Sequence, residues 1–145
     1  MVIEYFTKKI IDSYTDSLDV YNSLSSTEKN YVSPRGRFID SPSLVFRHNE
    51  KEGNETIGFV EVYKIPNTYQ EYQGSVVLAI KPKYRGSGVF GKLMDICINR
   101  MRVKGYHSLI YQVNKNNIAS QKAIEKNISC TKHEENGNII YKITL

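Results

Sequence analysis

Val76-Val77-Leu78-Ala79-Ile80-Lys81-Pro82-Lys83-Tyr84-Arg85-Gly86-Ser87-Gly88-Val89-Phe90-Gly91-Lys92 is the stretch from which the rest of this chain can be read. An apolar, β-branched run stops at a proline, a basic and glycine-rich loop follows, and an amphipathic helix begins. β-Branched residues suit a strand, and the glycines let the backbone turn sharply ahead of the helix. That order collects open backbone N–H groups and a helix N-terminus in one place, which is how proteins hold phosphate groups.

After this stretch the pattern changes period. Phe90, Leu93, Met94, Cys97, Ile98 and Met101 recur at helical spacing, and Gly105 is placed to close the helix as a C′ glycine. Leu109 to Val113 predicts a strand, Asn117 to Lys126 a short helix, and Cys130 to His133 another strand. Glu135-Asn136-Gly137-Asn138 is a hairpin turn into a last strand, Ile139 to Ile143. Upstream, Gly74 to Ile80, Thr56 to Tyr63 and Ser43 to Arg47 read as strands, with a turn over Glu50 to Asn54. Ser33-Pro34-Arg35-Gly36-Arg37 opens an irregular segment that runs to Ser43, and Ser25-Ser26-Thr27-Glu28 starts a short capped helix. Ile10, Ile11, Tyr14, Leu18 and Tyr21 form a helical stripe, and Ile3-Glu4-Tyr5-Phe6 a short first strand.

The order β-α-α-β-β-β-α-β-α-β-β predicts an α+β layered domain. Its sheet is mixed and mostly antiparallel, of about seven strands with helices on both faces. Parallel pairing is confined to the strand–helix–strand crossover at the glycine loop. At 145 residues the whole chain, 1–145, reads as a single domain with room for a core.

Charge and cysteine content exclude several classes. Twenty Lys+Arg against 15 Asp+Glu give +5, a modest excess that favours anionic ligands. No basic run with interleaved aromatics is present, so nucleic acid is not an expected partner. Cys97 and Cys130 lie far apart with no CxxC and no paired histidines, so no metal site and no disulfide framework is expected. Both thiols suit a reducing cytoplasm. There is no apolar N-terminal signal and no apolar run that would span a membrane, so a cytoplasmic protein without membrane attachment is expected.

Three phosphate-binding patterns overlie the loop. Gly86-x-Gly88-x-x-Gly91 satisfies a dinucleotide pattern, but Lys81 to Arg85 separate strand from glycine and the next strand ends in Gln112-Val113-Asn114, without a carboxylate. Gly86-x-x-x-x-Gly91-Lys92 is nearly a P-loop, but Leu93 stands where Ser or Thr must bind magnesium. The third pattern, Arg85-x-x-Gly88, resembles the pyrophosphate loop of the GNAT N-acetyltransferases, Arg/Gln-x-x-Gly-x-Gly/Ala after their fourth strand. Phe90 stands where that family has Gly or Ala, with the glycine displaced to Gly91. Lys81, Lys83, Arg85 and Lys92 gather around the loop, where cations would add charge-assisted hydrogen bonds to a polyphosphate. Asn117-Ile118-Ala119-Ser120, followed by Ala123-Ile124-Glu125-Lys126, is similar to the family's later Asn-x-x-Ala/Ser segment and its Tyr-Glu-Lys helix. Asn117 is also a natural N-cap.

The resemblance implies acetyl-CoA as co-substrate and direct transfer of acetyl to a primary amine. The acceptor would be a small molecule, a peptide or a protein, and the enzyme a monomer or homodimer. Strands four and five would splay, so that Leu78, Ala79 and Ile80 offer backbone groups to pantetheine. Arg85, Gly86, Ser87, Gly88, Val89, Phe90 and Gly91 would seat the pyrophosphate, and Asn117 and Ser120 would border the later parts of CoA. Two departures matter. Ile124 replaces the tyrosine that in many members protonates the departing thiolate, which excludes acid catalysis by that residue, and Ile128-Ser129 replaces Gly-Phe. A CoA-binding or partner-binding module without turnover is therefore the alternative.

An attacking amine must be neutral. With a lysine pKa of about 10.4, roughly one in 2,500 is deprotonated at pH 7, so a lysine or polyamine acceptor calls for a base. Candidates are Glu61, which shares a strand face with Ile57, Phe59 and Tyr63, and Glu71 or Tyr72 just ahead of the next strand. Tyr69 and Tyr72, with Arg35 to Ser43, are the candidate acceptor wall.

Overall fold

The structure is a computed structural model that describes residues 8–29, 43–65 and 73–145. Two helices come first, α1 (Lys8–Asn22) and α2 (Ser26–Lys29), then β1 (Leu44–Glu52), β2 (Glu55–Lys64) and β3 (Gln73–Ile80). A single 3-10 turn over Pro82–Tyr84 leads to α3 (Val89–Val103), followed by β4 (Ser108–Asn114), α4 (Ile118–Asn127), β5 (Thr131–Glu135) and β6 (Asn138–Thr144). The described strands form one six-stranded sheet in the order β1-β2-β3-β4-β6-β5. All neighbours are antiparallel except β3 and β4. The sheet thus has six described strands rather than about seven, since the expected first strand, Ile3 to Phe6, lies outside the described residues. So do most of the Arg35–Ser43 segment, Tyr69, Glu71 and Tyr72.

Strand side chains alternate between faces, so central strands need cover on both sides. Phe59, Tyr63, Val77 and Ala79 form one cluster with Val20 of α1 and Leu24 just after it. On the other face, Val60, Val62, Val76, Leu78 and Ile80 pack with Leu93, Met94, Cys97, Ile98 and Met101 of α3 and with Ile124 of α4. Leu93, which denied the P-loop reading, is fully buried there and could not serve a metal.

Local signals account for the element ends. Gly105 has φ +85, its N–H donates to Arg102 O at 2.9 Å, and that of Tyr106 donates to Met101 O at 3.0 Å, the paired bonds that close α3. Asn136 and Gly137 both have positive φ, +52 and +79, as a two-residue hairpin turn demands. The expected turn over Glu50 to Asn54 is corrected. β1 continues through Glu52, and only Gly53 and Asn54 turn, with Gly53 at φ +61. The polar run His48 to Lys51 reads locally as a loop, but pairing with β2 and ion pairs to Asp16 and Lys92 hold it extended.

Candidate functional site

The parallel ladder between β3 and β4 is short. Gln73, Gly74 and Ser75 pair with Ser108, Leu109 and Ile110, and no pair follows. Beyond this fork β3 stays on β2 through Ile80, while β4 stays on β6 through Asn114, so the two diverge. Lys81 N–H donates to Ile57 O at 2.8 Å. Backbone groups alternate in direction along a strand, so the even-numbered residues Val76, Leu78 and Ile80 turn theirs away from β2, into the fork.

The fork opens into a cleft of about 820 Å³. Its far end is the glycine loop. Gly86 and Gly88 have φ +78 and +86, a conformation that other residues adopt only under strain, and Gly88 is the N-cap of α3. The first bond of α3 runs from Lys92 N–H to Gly88 O, which leaves the N–H groups of Val89, Phe90 and Gly91 without helical partners. Leu78, Ala79, Ile80, Arg85, Gly86, Gly88, Val89, Phe90, Gly91, Asn117 and Ser120 all line the cleft. Ser87 does not, and its hydroxyl donates back to Tyr84 O.

Gly91 has a packing reason of its own. A Cβ there would stand 2.9 Å from Asn127 Oδ1, so any larger residue asks that α4 side chain to shift. Phe90 fills the space that a smaller residue would leave. Its ring lies 6.2 Å from that of Tyr111, at 28°. Asn117 caps α4 by accepting from Ser120 N–H at 3.3 Å while also lining the cleft.

The four cations around the loop are placed differently from one another. Lys81 reaches Asp19 at 2.7 Å and Glu55 at 3.3 Å, Lys83 reaches Glu55 at 3.1 Å, and Lys92 reaches Glu50 at 2.7 Å. These bonds staple the loop and the start of α3 to β1, β2 and α1. With Tyr84 donating to it as well, the Glu55 carboxyl is held down at about 2. Only Arg85 of the four lines the cleft, and it is bonded to Ile80 O at 3.3 Å and ion-paired with Glu28 of α2. Glu28 meanwhile closes a capping box with Ser25, accepting from Ser25 N–H at 3.1 Å. Desolvation opposes ionisation of Glu28, but the bonds to Ser25 and Arg85 prevail and hold its carboxyl below the ordinary range.

Sequence reasoning missed Lys122 and Lys126, which line the cleft from α4 and have no ion-pair partner among the described residues. The signal was present: Ala119, Lys122, Ala123 and Lys126 recur at helical spacing as a small and basic stripe. It escapes a search for apolar periodicity.

Glu61 lies elsewhere. It sits opposite Val77 on β2, is fully buried on the α1 face, and is not part of the cleft wall. Arg47 Nε donates to its Oε2 at 2.6 Å and Tyr63 OH to its Oε1 at 3.3 Å. Burial pushes the carboxyl up, opposed by the Arg47 charge. Among the described residues no three His, Cys, Asp or Glu are grouped to hold a metal ion.

A family model described as Acetyltransferase (GNAT) family matches residues 8–128. The GNAT domain of S. lividans PAT is similar in structure, with a TM-score of 0.78 at 19% identity over 93% of this chain and 86% of that one. The Salmonella typhimurium chain yncA, solved with its cofactor acetyl-CoA, gives 0.58 at 17% over 66% and 61%. A ribosomal-protein-alanine N-acetyltransferase from Brucella melitensis gives 0.57 at 14% over 68% of each chain. No curated protein matches significantly in sequence.

Proposed function

We propose that this chain, which belongs to the GNAT acetyltransferase family, moves an acetyl group from acetyl-CoA directly to a primary amine. The observation that carries the reading is the fork: backbone groups of Val76, Leu78 and Ile80 that face away from β2 lead from its narrow end to the open helix N-terminus at Gly88. An extended pantetheine arm can complete the broken ladder, and the pyrophosphate takes the N–H groups of Val89 to Gly91. Arg85 supplies charge to the pyrophosphate, while Lys122 and Lys126 serve the other phosphate of CoA. A backbone N–H in the fork polarises the thioester carbonyl, and one such donor supplies about 3–4 kcal/mol in the transition state.

Glu71 and Tyr72 stay the candidates for the base by their place in the sequence, just ahead of β3. The acceptor class follows only from the family: a small amine, a peptide or a protein, as the ribosomal-protein acetyltransferase illustrates for its own substrate. No described helix is long and apolar enough to cross a membrane, and Cys97 and Cys130 are both free thiols, which supports the cytoplasmic setting inferred for it.

Calorimetry with acetyl-CoA, then thiol release in the presence of mixed amines, tests the reading. Binding in the micromolar range with amine-dependent release is expected. Binding without release on any amine would favour the silent CoA-binding module instead.

Glu28 adds a prediction. Its carboxylate holds the Arg85 guanidinium where the pyrophosphate is expected, so cofactor and Glu28 compete. Glu28→Gln keeps the capping box, because glutamine accepts the same N–H, and removes the charge. Acetyl-CoA affinity is expected to rise by up to about fivefold, the worth of a partly exposed ion pair. Weaker binding would mean that Glu28 steadies Arg85 for the ligand instead.

A further inference from the structure

Ile124 raises the question of what assists the departing thiolate. It is fully buried in the core beneath α4 and takes no part in the cleft wall. The cleft holds few other hydroxyls. Tyr84 donates its own to Glu55 at 2.7 Å. Tyr111 is different, since it is the first β4 residue past the last parallel pair, Ser75 with Ile110, and therefore stands at the fork. Tyr111 lines the cleft, as does Ser120 on the first turn of α4. Stacking on Phe90 fixes the plane of the ring.

The length of β3 places the sulfur. Between the phosphate seat and the fork, Val76 to Ile80 span about 13 Å at 3.3 Å per residue. An extended pantetheine arm covers that distance, which brings its thioester down beside Tyr111. Resting on the acetyl-CoA reading of this cleft, we infer that the Tyr111 hydroxyl donates a hydrogen bond to the CoA sulfur as the thioester breaks. In that step the amine nitrogen bonds to the carbonyl carbon and the C–S electron pair goes to sulfur. The proton lost by nitrogen reaches sulfur through solvent, and Tyr111 keeps its own proton throughout. Burial favours this division of labour: it pushes the phenol up to about 12, so the hydroxyl stays neutral and remains a donor at working pH. Phe90, at the position where smaller residues are usual, then serves to hold the donor in place.

Tyr111→Phe retains the ring and its stacking and removes only the donor. The assay is thiol release from acetyl-CoA with hydroxylamine, a small amine that is neutral at pH 7, alongside calorimetry with acetyl-CoA. The expected result is acetyl-CoA affinity within twofold of the parent and kcat lower by about 10–100-fold, the range for a hydrogen bond to a charged group. Fluorotyrosines placed at position 111 vary phenol acidity without changing shape, and kcat should follow that acidity. An undiminished kcat in Tyr111→Phe, loss of acetyl-CoA binding in that variant, or indifference to fluorination would each overturn the inference while leaving the cleft's reading intact. A parent protein that binds acetyl-CoA but releases no thiol would overturn it too. A parent that fails to bind acetyl-CoA would overturn the reading of the cleft and this inference together.

Discussion

Arg47→Ala is expected to cost about 3–5 kcal/mol of folding stability at neutral pH, because it strands a buried carboxylate. Arg47 and Glu61 are 6% and 0% exposed and 2.6 Å apart, so neither charge has water to fall back on. Tyr63 still donates to Glu61 after the substitution, but one neutral donor does not replace a guanidinium. The sign of the pH dependence follows. The folded-state pKa of Glu61 is already raised by burial, and removing Arg47 raises it further. A carboxyl raised above its unfolded value contributes stability that is fully present below the unfolded pKa and lost as pH rises through the folded one. The deficit of Arg47→Ala against the parent should therefore be small near pH 4.5 and full near pH 8. Urea unfolding of both proteins across that range reads it, and a deficit under about 1 kcal/mol, or one flat with pH, would contradict the account. Glu61→Gln separates the structural role from the proposed base. Lower stability with unchanged turnover is expected from its placement away from the cleft, whereas an inactive protein with normal acetyl-CoA affinity would restore Glu61 as the base.

Arg85→Ala is expected to weaken acetyl-CoA binding about tenfold, towards the low end of the range for a charge-assisted hydrogen bond. The guanidinium is 43% exposed, so solvent screens part of its contribution. Two effects add. The pyrophosphate loses a donor, and the Glu28 carboxylate, no longer neutralised, remains at the cleft to repel it. Adding Glu28→Gln to Arg85→Ala should accordingly recover part of the loss, whereas recovery of none would show that repulsion plays no part. Unchanged affinity in Arg85→Ala would remove Arg85 from the cofactor site.

Where structure is decided within a few residues, the sequence was sufficient. The α3 stripe from Phe90 to Met101 is written at helical spacing, Gly105 ends it by taking a positive φ, and Asn136-Gly137 makes its hairpin turn for the same reason. Asn117 as a cap needed only the N–H three residues ahead. The twin glycines at 86 and 88 already implied an open helix N-terminus, and the cleft wall includes every residue named for the cofactor except Ser87.

Other features could not be read that way. His48 to Lys51 look like a turn until β2 supplies their partners, and Glu61 looks like a free acid until the register sets Arg47 directly across from it. Lys81, Lys83 and Lys92 look like phosphate ligands until Asp19, Glu55 and Glu50 claim them from remote parts of the chain. By itself the sequence determined the order of the described elements, their caps and the open glycine loop, because φ/ψ preference and side-chain period are properties of neighbouring residues. Only the tertiary structure decided which charges face the cleft, where the parallel ladder breaks, and that Tyr111 rather than residue 124 stands at the fork. Those depend on strand register and helix packing, which join residues far apart in the chain and leave no local mark.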